Sequence, residues 1–117
     1  MMSVLLDCAR KLLCENPDAA QVVLVSTAQE HIFHMLSRNF PVDMERTESE
    51  FCEMLKSQDD THILHLLCMW QNGAVDLPSW HLRQLLTKLN PENQDTLVLL
   101  NTQEGLCEKP FHALLPK

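Results

Sequence analysis

The sequence predicts an all-α protein built as a stack of helical hairpins. Three observations point that way. Apolar residues make up 45% of the 117 residues, yet there are only two glycines and no tyrosine, which is poor material for many tight β-turns. Leucine-rich apolar residues recur at i, i+3, i+4 and i+7 in several segments, the period of one helix face. A helix-like stretch followed by an Asn-Pro corner and a buried-looking apolar run occurs twice.

Taken in order, Ser3 can cap a helix from Val4 to Glu15, with Leu5, Cys8, Ala9 and Leu12 as its stripe. Asn16-Pro17-Asp18 restarts the chain with residues suited to an N-cap, a first helical position and a first turn. A second segment covers Asp18 to Val25; its β-branched Val22-Val23-Leu24-Val25 core also fits a short buried strand. Thr27 and Glu30 have capping-box spacing and open a third helix with stripe Ile32, Met35, Leu36 and Phe40, ended by Pro41. After a loop to Arg46, Thr47 and Glu50 open a short helix to Lys56, with Phe51, Met54 and Leu55 as its apolar face. Asp59-Asp60 can cap a helix carrying Ile63, Leu66, Leu67 and Trp70, with Gly73 just past its end. Pro78-Ser79 starts the next, with Leu82, Leu85, Leu86 and Leu89. Asn90-Pro91-Glu92 restarts the chain again, Leu97 to Leu100 sits in a further helix ended by Gly105, and a tail with Phe111, Leu114 and Leu115 closes the sequence.

Charge and cysteine usage narrow the function classes. The net charge is -7 and no Lys/Arg cluster exceeds Arg10-Lys11, which disfavours direct nucleic-acid binding and docking on anionic membrane. Five cysteines without a Cys-x-x-Cys pair read as free thiols in a reducing compartment. No signal peptide is apparent, and no apolar run approaches the roughly 18 residues of a membrane span. The expected location is intracellular, nuclear or cytoplasmic. The length suits a single domain over 1–117, which can equally be a fragment or isoform of a longer repeat protein.

The internal echo pairs Arg10-Lys11-Leu12-Leu13, Asn16-Pro17-Asp18 and Val22–Thr27 with Arg83-Gln84-Leu85-Leu86, Asn90-Pro91-Glu92 and Leu97–Thr102. The offset runs from 73 to 75 residues, near two helical-repeat units of about 37. On these paired hairpins, and on Phe51-Leu55 and Ile63-Trp70 between them, the chain resembles the armadillo/HEAT class of α-solenoids. It is also similar to meiosis-inhibitor-type armadillo proteins. That resemblance implies a nuclear, non-enzymatic scaffold in double-strand-break formation and chromosome synapsis, and transfers no site residues.

Little in the sequence points to catalysis. Two glycines cannot make a phosphate-cradling loop, and no Gly-x-Ser-x-Gly elbow occurs. Asp59-Asp60 and Glu48/Glu50 read as capping and solvated surface. His62, His65 and Cys68 form the sharpest metal candidate, which His31 and His34 would have to complete, but one helix rarely supplies three ligands. The favoured reading packs Cys68 in the core and leaves both histidines at its edge. A Cys52–His nucleophile pair lacks any sign of an activating site.

The expectation is therefore a non-enzymatic protein–protein scaffold without metal or cofactor. Its partners would be other proteins, with self-association open, and Trp80, Met44 and Phe111 would be contact residues. Four alternatives stand beside it: a compact six-helix bundle of the death-fold kind, a zinc-binding enzyme, a thiol-dependent enzyme, and a mixed α/β domain pairing Val22–Val25 with Leu97–Leu100 as strands.

Overall fold

A computed structural model describes residues 1–39 and 41–114. Its elements are α1 (Met2–Glu15), β1 (Gln21–Thr27), β2 (Ile32–Ser37), α2 (Met44–Ser57), β3 (Ile63–Trp70), β4 (Val75–Asp76), α3 (Trp80–Leu89), β5 (Leu97–Thr102) and β6 (Gly105–Pro110). Short 3₁₀ turns lie at Pro91–Asp95 and Phe111–Leu114. The all-α expectation is overturned: three helices cover a six-stranded mixed sheet. The solenoid and the helical bundle fall with it. A radius of gyration of 13.1 Å matches the value of about 13.4 Å for a compact 117-residue domain.

The sheet order is β2-β1-β3-β5-β6, with β4 paired to β3. The β1 strand runs antiparallel to both β2 and β3, and Val23 pairs with Met35 on one side and Cys68 on the other. Strands β3 and β5 are parallel, with His65 opposite Leu97, and α3 makes the crossover between them. Valines 22 and 98 thus lie on non-adjacent strands, so the paired-strand alternative had the right element type and the wrong pairing.

The helical misreading has a physical cause. All seven residues of β1 are buried, as is most of β3. A strand covered on both faces loses its alternation and reads as a continuous apolar run. In β3 that run places Ile63, Leu66, Leu67 and Trp70 at helical spacing by coincidence. Side chains of β1 in fact alternate between two cores. Val23 and Val25 face Phe51, Cys52 and Leu55 of α2 and Leu82 and Leu86 of α3. Val22 and Leu24 face Leu5, Ala9 and Leu13 of α1. The result is a three-layer α/β/α arrangement, with α1 alone on one face.

The helices at 2–15, 44–57 and 80–89 match three expected helical segments, although α2 begins three residues earlier than the Thr47 capping box. The segment expected as a third helix is β2, and Phe40 of its stripe lies outside the described residues. Leu115 of the tail also lies outside them. The Asn-Pro echo marks two helix-to-strand corners, α1 to β1 and α3 to β5, on opposite faces of the sheet. Asn16 Nδ2 donates to the Leu12 carbonyl, whereas Asn90 Oδ1 accepts from the Glu92 amide.

Candidate active site at the starts of two helices

Helix α2 presents Glu48, Phe51, Cys52 and Leu55 to the core, an i, i+3, i+4, i+7 stripe on which one position is a carboxylate. The Glu48 side chain is only 3% exposed. A buried carboxylate requires partners, and here they come from the start of α3. Ser79 Oγ donates to Glu48 Oε2 over 2.6 Å, and His81 Nδ1 lies 2.8 Å from Glu48 Oε1. Ser79 is also the N-cap of α3, where its hydroxyl oxygen accepts from the Leu82 amide. The carboxylate therefore sits at the positive end of the α3 dipole.

This arrangement sets a tautomer. An ionised carboxylate only accepts, so the proton between Glu48 and His81 rests on Nδ1 and Nε2 carries a lone pair. The His81 side chain is 34% exposed, so the imidazole joins a buried acid to solvent. The three groups do not form a hydrolase triad. That chemistry requires the imidazole between serine and acid. Here the acid lies in the middle, and the Ser79 proton is directed to Glu48.

The other residues singled out from the sequence are dispersed. His65 and Cys68 lie on β3 with opposite parity, so they face different layers; His65 Nδ1 is 3.0 Å from Ser26 Oγ, while Cys68 is 2% exposed among the α2–α3 side chains. His62 sits at 4.0 Å from Glu92, and His34 is exposed on β2. His31 meets Asp60, at 2.6 Å, with Thr27 Oγ1 donating to the same oxygen. Among the described residues no three His, Cys, Asp or Glu side chains come together as a metal site. Cys52 is buried, and desolvation, with Glu48 and Glu53 adding to it, pushes its thiol up to about 12, the opposite of an activated nucleophile. Trp80 is 46% exposed, Met44 is half-buried at the start of α2, and Phe111 is buried in the core at 5%. Glu48 and Asp60 were expected on a solvated face, and both are buried. Ser79 and His81 were not anticipated as site residues. The available signal was positional: Glu48 continues the Phe51–Cys52–Leu55 stripe, and Ser79 precedes Leu82 by one turn.

No family model matches the chain, and no curated protein sequence matches it. Solved structures do. The chain is similar to the cytidine deaminase from Bacillus anthracis, with a TM-score of 0.70 at 13% identity, over 94% of this chain and 83% of that one. It is similar to the cytidine deaminase from Mycobacterium leprae, with a TM-score of 0.62 at 16% identity, over 96% and 94%. The enzyme from Burkholderia pseudomallei gives 0.62 at 17%, over 92% and 91%. These likenesses overturn the armadillo/HEAT resemblance and, with it, the nuclear meiotic scaffold and the death-fold adaptor. The fold is one that enzymes use, which also corrects the expectation of a non-enzymatic protein. No described helix is long and apolar enough to cross a membrane.

Zinc deaminases hold their metal with a His or Cys and two further cysteines, in the pattern H-x-E followed by P-C-x-x-C, the glutamate acting as acid and base. At the start of α3 this chain has Pro78-Ser79-Trp80-His81-Leu82, with the proline and the spacing but neither cysteine. Leu82 is fully buried and apolar, and the Ser79 hydroxyl is already engaged on both sides. Two x-x-E triplets open α2, Asp43-Met44-Glu45 and Arg46-Thr47-Glu48, and neither begins with His or Cys. Asp43 serves another purpose: it accepts from Ser37 Oγ and from the amides of Arg38 and Asn39. The Ser37 hydrogen bond, with these amides, lowers its carboxyl pKa, so Asp43 is a clasp on the β2–α2 turn. The donor set does not fit zinc. The chain is similar to the cytidine deaminases in fold, and the two cysteine positions of that pattern are here a hydrogen-bonded serine and a buried leucine, with Asp43 or Arg46 where the first ligand would stand.

Proposed function

We propose that this chain binds a pyrimidine nucleoside at the α2–α3 helix starts and exchanges a proton with it through His81, without zinc. The observation that carries the reading is the 2.8 Å contact between the buried Glu48 carboxylate and the half-exposed His81 ring. A carboxylate held behind an imidazole orients the ring and fixes its tautomer, the pairing that general acid–base catalysis uses. The likeness in fold to cytidine deaminases supplies the ligand class. In this role His81 Nε2 accepts from an N–H or O–H of the ligand. Glu48 stabilises the imidazolium that forms, and Ser79 fixes Glu48.

The test is a thermal-shift and calorimetric titration with cytidine, deoxycytidine and uridine, with adenosine as control, followed by chromatography of the mixture for a converted product. A ligand at about 100 times its Kd adds about 2.7 kcal/mol of stability, so a pyrimidine-selective rise in Tm is expected. His81→Ala should abolish it. Equal behaviour of pyrimidines and adenosine, or the absence of any shift, rejects the reading.

A further inference from the structure

The outer face of α3 carries a feature that the helix-start cluster does not use. A cavity of about 440 Å³ lies between Trp80, Arg83, Thr87 and Lys88 of α3 and Phe111 and His112 of the last 3₁₀ turn. That volume is within the range of small-molecule sites, about 300–1,000 Å³. Neither Ser79 nor His81 lines it.

Its chemistry is one-sided. The chain carries 16 acidic against 9 basic residues, yet among the described residues no aspartate or glutamate is in the wall, while Arg83, Lys88 and His112 are. The exposed Asp95 lies 3.6 Å from the histidine Nε2. Trp80 offers a half-exposed indole, and Phe111 closes the apolar floor.

Arg83 is the informative group. Its guanidinium stands 5.1 Å from the centre of the Trp80 ring, and one terminal nitrogen donates to the Leu114 carbonyl. Its Nε is buried and has no acceptor among the described residues. Burial lowers the pKa of the group. A partly buried cation at the edge of an apolar cavity favours an anion as its partner.

We propose that this cavity binds a small aromatic anion, its ring against Trp80 and Phe111 and its phosphate or carboxylate group held by Arg83 and Lys88. Ring stacking and the cationic edge act together: the indole face supplies area, and the charge-assisted hydrogen bonds supply orientation.

The experiment is an NMR titration that follows the two tryptophan indole N–H resonances. Phenyl phosphate and benzoate test the two head groups, benzyl alcohol is the neutral analogue and inorganic phosphate lacks the ring. Trp70, whose Nε1 donates to Asp76 Oδ2, reports on the integrity of the fold. Phenyl phosphate or benzoate should shift the Trp80 resonance saturably, and the tighter of the two identifies the head group. Benzyl alcohol and inorganic phosphate should each bind about tenfold more weakly, the loss of one charge-assisted contact or of the stacked ring. Lys88→Glu should weaken the aromatic anion by about the same factor while leaving the Trp70 resonance in place. A neutral or ring-free probe that binds as tightly as the aromatic anions overturns the proposal. So does an unmoved Trp80 resonance, or undiminished binding in folded Lys88→Glu.

Discussion

Ser79 and Glu48 are separated by 31 residues and meet at 2.6 Å, so the N-cap of α3 is also the anchor of the only carboxylate on the buried stripe of α2. One hydroxyl accepts from the Leu82 amide and donates to Glu48, and this ties helix initiation to the seam between two helices. The same carboxylate holds His81 in its second oxygen's reach.

Removing the carboxylate should therefore cost more than removing the imidazole. In Glu48→Ala the Ser79 hydroxyl loses its acceptor in a half-buried seam, and the predicted loss is about 1–3 kcal/mol. His81→Ala, at a half-exposed position, should cost less than this. Urea denaturation of both variants measures the order, and an equal or reversed order would show that Glu48 is not the centre of the seam.

Purified protein should carry no stoichiometric zinc, and a chelator should leave its Tm unchanged. Elemental analysis by mass spectrometry decides this directly. One zinc per chain that survives dialysis would mean that ligands outside Ser79, Leu82 and Asp43 have been recruited.

The five cysteines should divide by burial. Cys14 is exposed and Cys8 and Cys107 are half-buried, whereas Cys52 and Cys68 are buried and both thiols are shifted upward by desolvation. A disulfide-exchange dye should label Cys14 first and leave Cys52 and Cys68 unlabelled until urea is added. The pH consequence has a definite sign. Above the ordinary thiol value of 9.0 the unfolded chain releases the Cys52 proton, while the folded chain keeps it up to about 12. Stability should thus fall as pH rises through that window, and Cys52→Ala should flatten the fall. An alkaline stability profile identical in the variant would contradict it.

Asn93 should be among the most sensitive polar positions. It is fully buried; its Oδ1 accepts from the Ile63 amide, and its Nδ2 donates to the carbonyls of Thr61 and Leu86. It thereby joins the start of β3 to the end of α3. Asn93→Ala takes their partner from the Ile63 amide and the Thr61 carbonyl, while the Leu86 carbonyl keeps the Asn90 amide, and a loss of about 3 kcal/mol is expected. A chemical denaturation midpoint within error of wild type would rule out this role.

Legibility followed exposure for the helices and the central strands, whereas the half-exposed edge strand β2 was misread because Ile32, Met35 and Leu36 fall at helical spacing. The three helices on the outside of the sheet kept their 3.6-residue pattern because each has a wet face, so α1 and α3 were recognisable, Pro78-Ser79 included. Strands β1, β3 and β5 were misassigned because cores on both sides erased their alternation. Glu48 was misread for the converse reason. Among Thr47, Glu50 and Glu53 it looks like one more surface acid, and only the approach of α3 distinguishes it.

The sequence by itself determined a leucine-rich, acidic chain with free thiols, a first helix ending at Glu15 and a helix start at Pro78-Ser79, because these depend on composition and on neighbours within one turn. Tertiary structure decided the rest. Whether a run such as Val22–Val25 becomes helix or strand depends on which layers cover it. Whether Glu48 is solvated or a partner of His81 depends on a contact across 33 residues of chain, a separation over which local pattern carries no information.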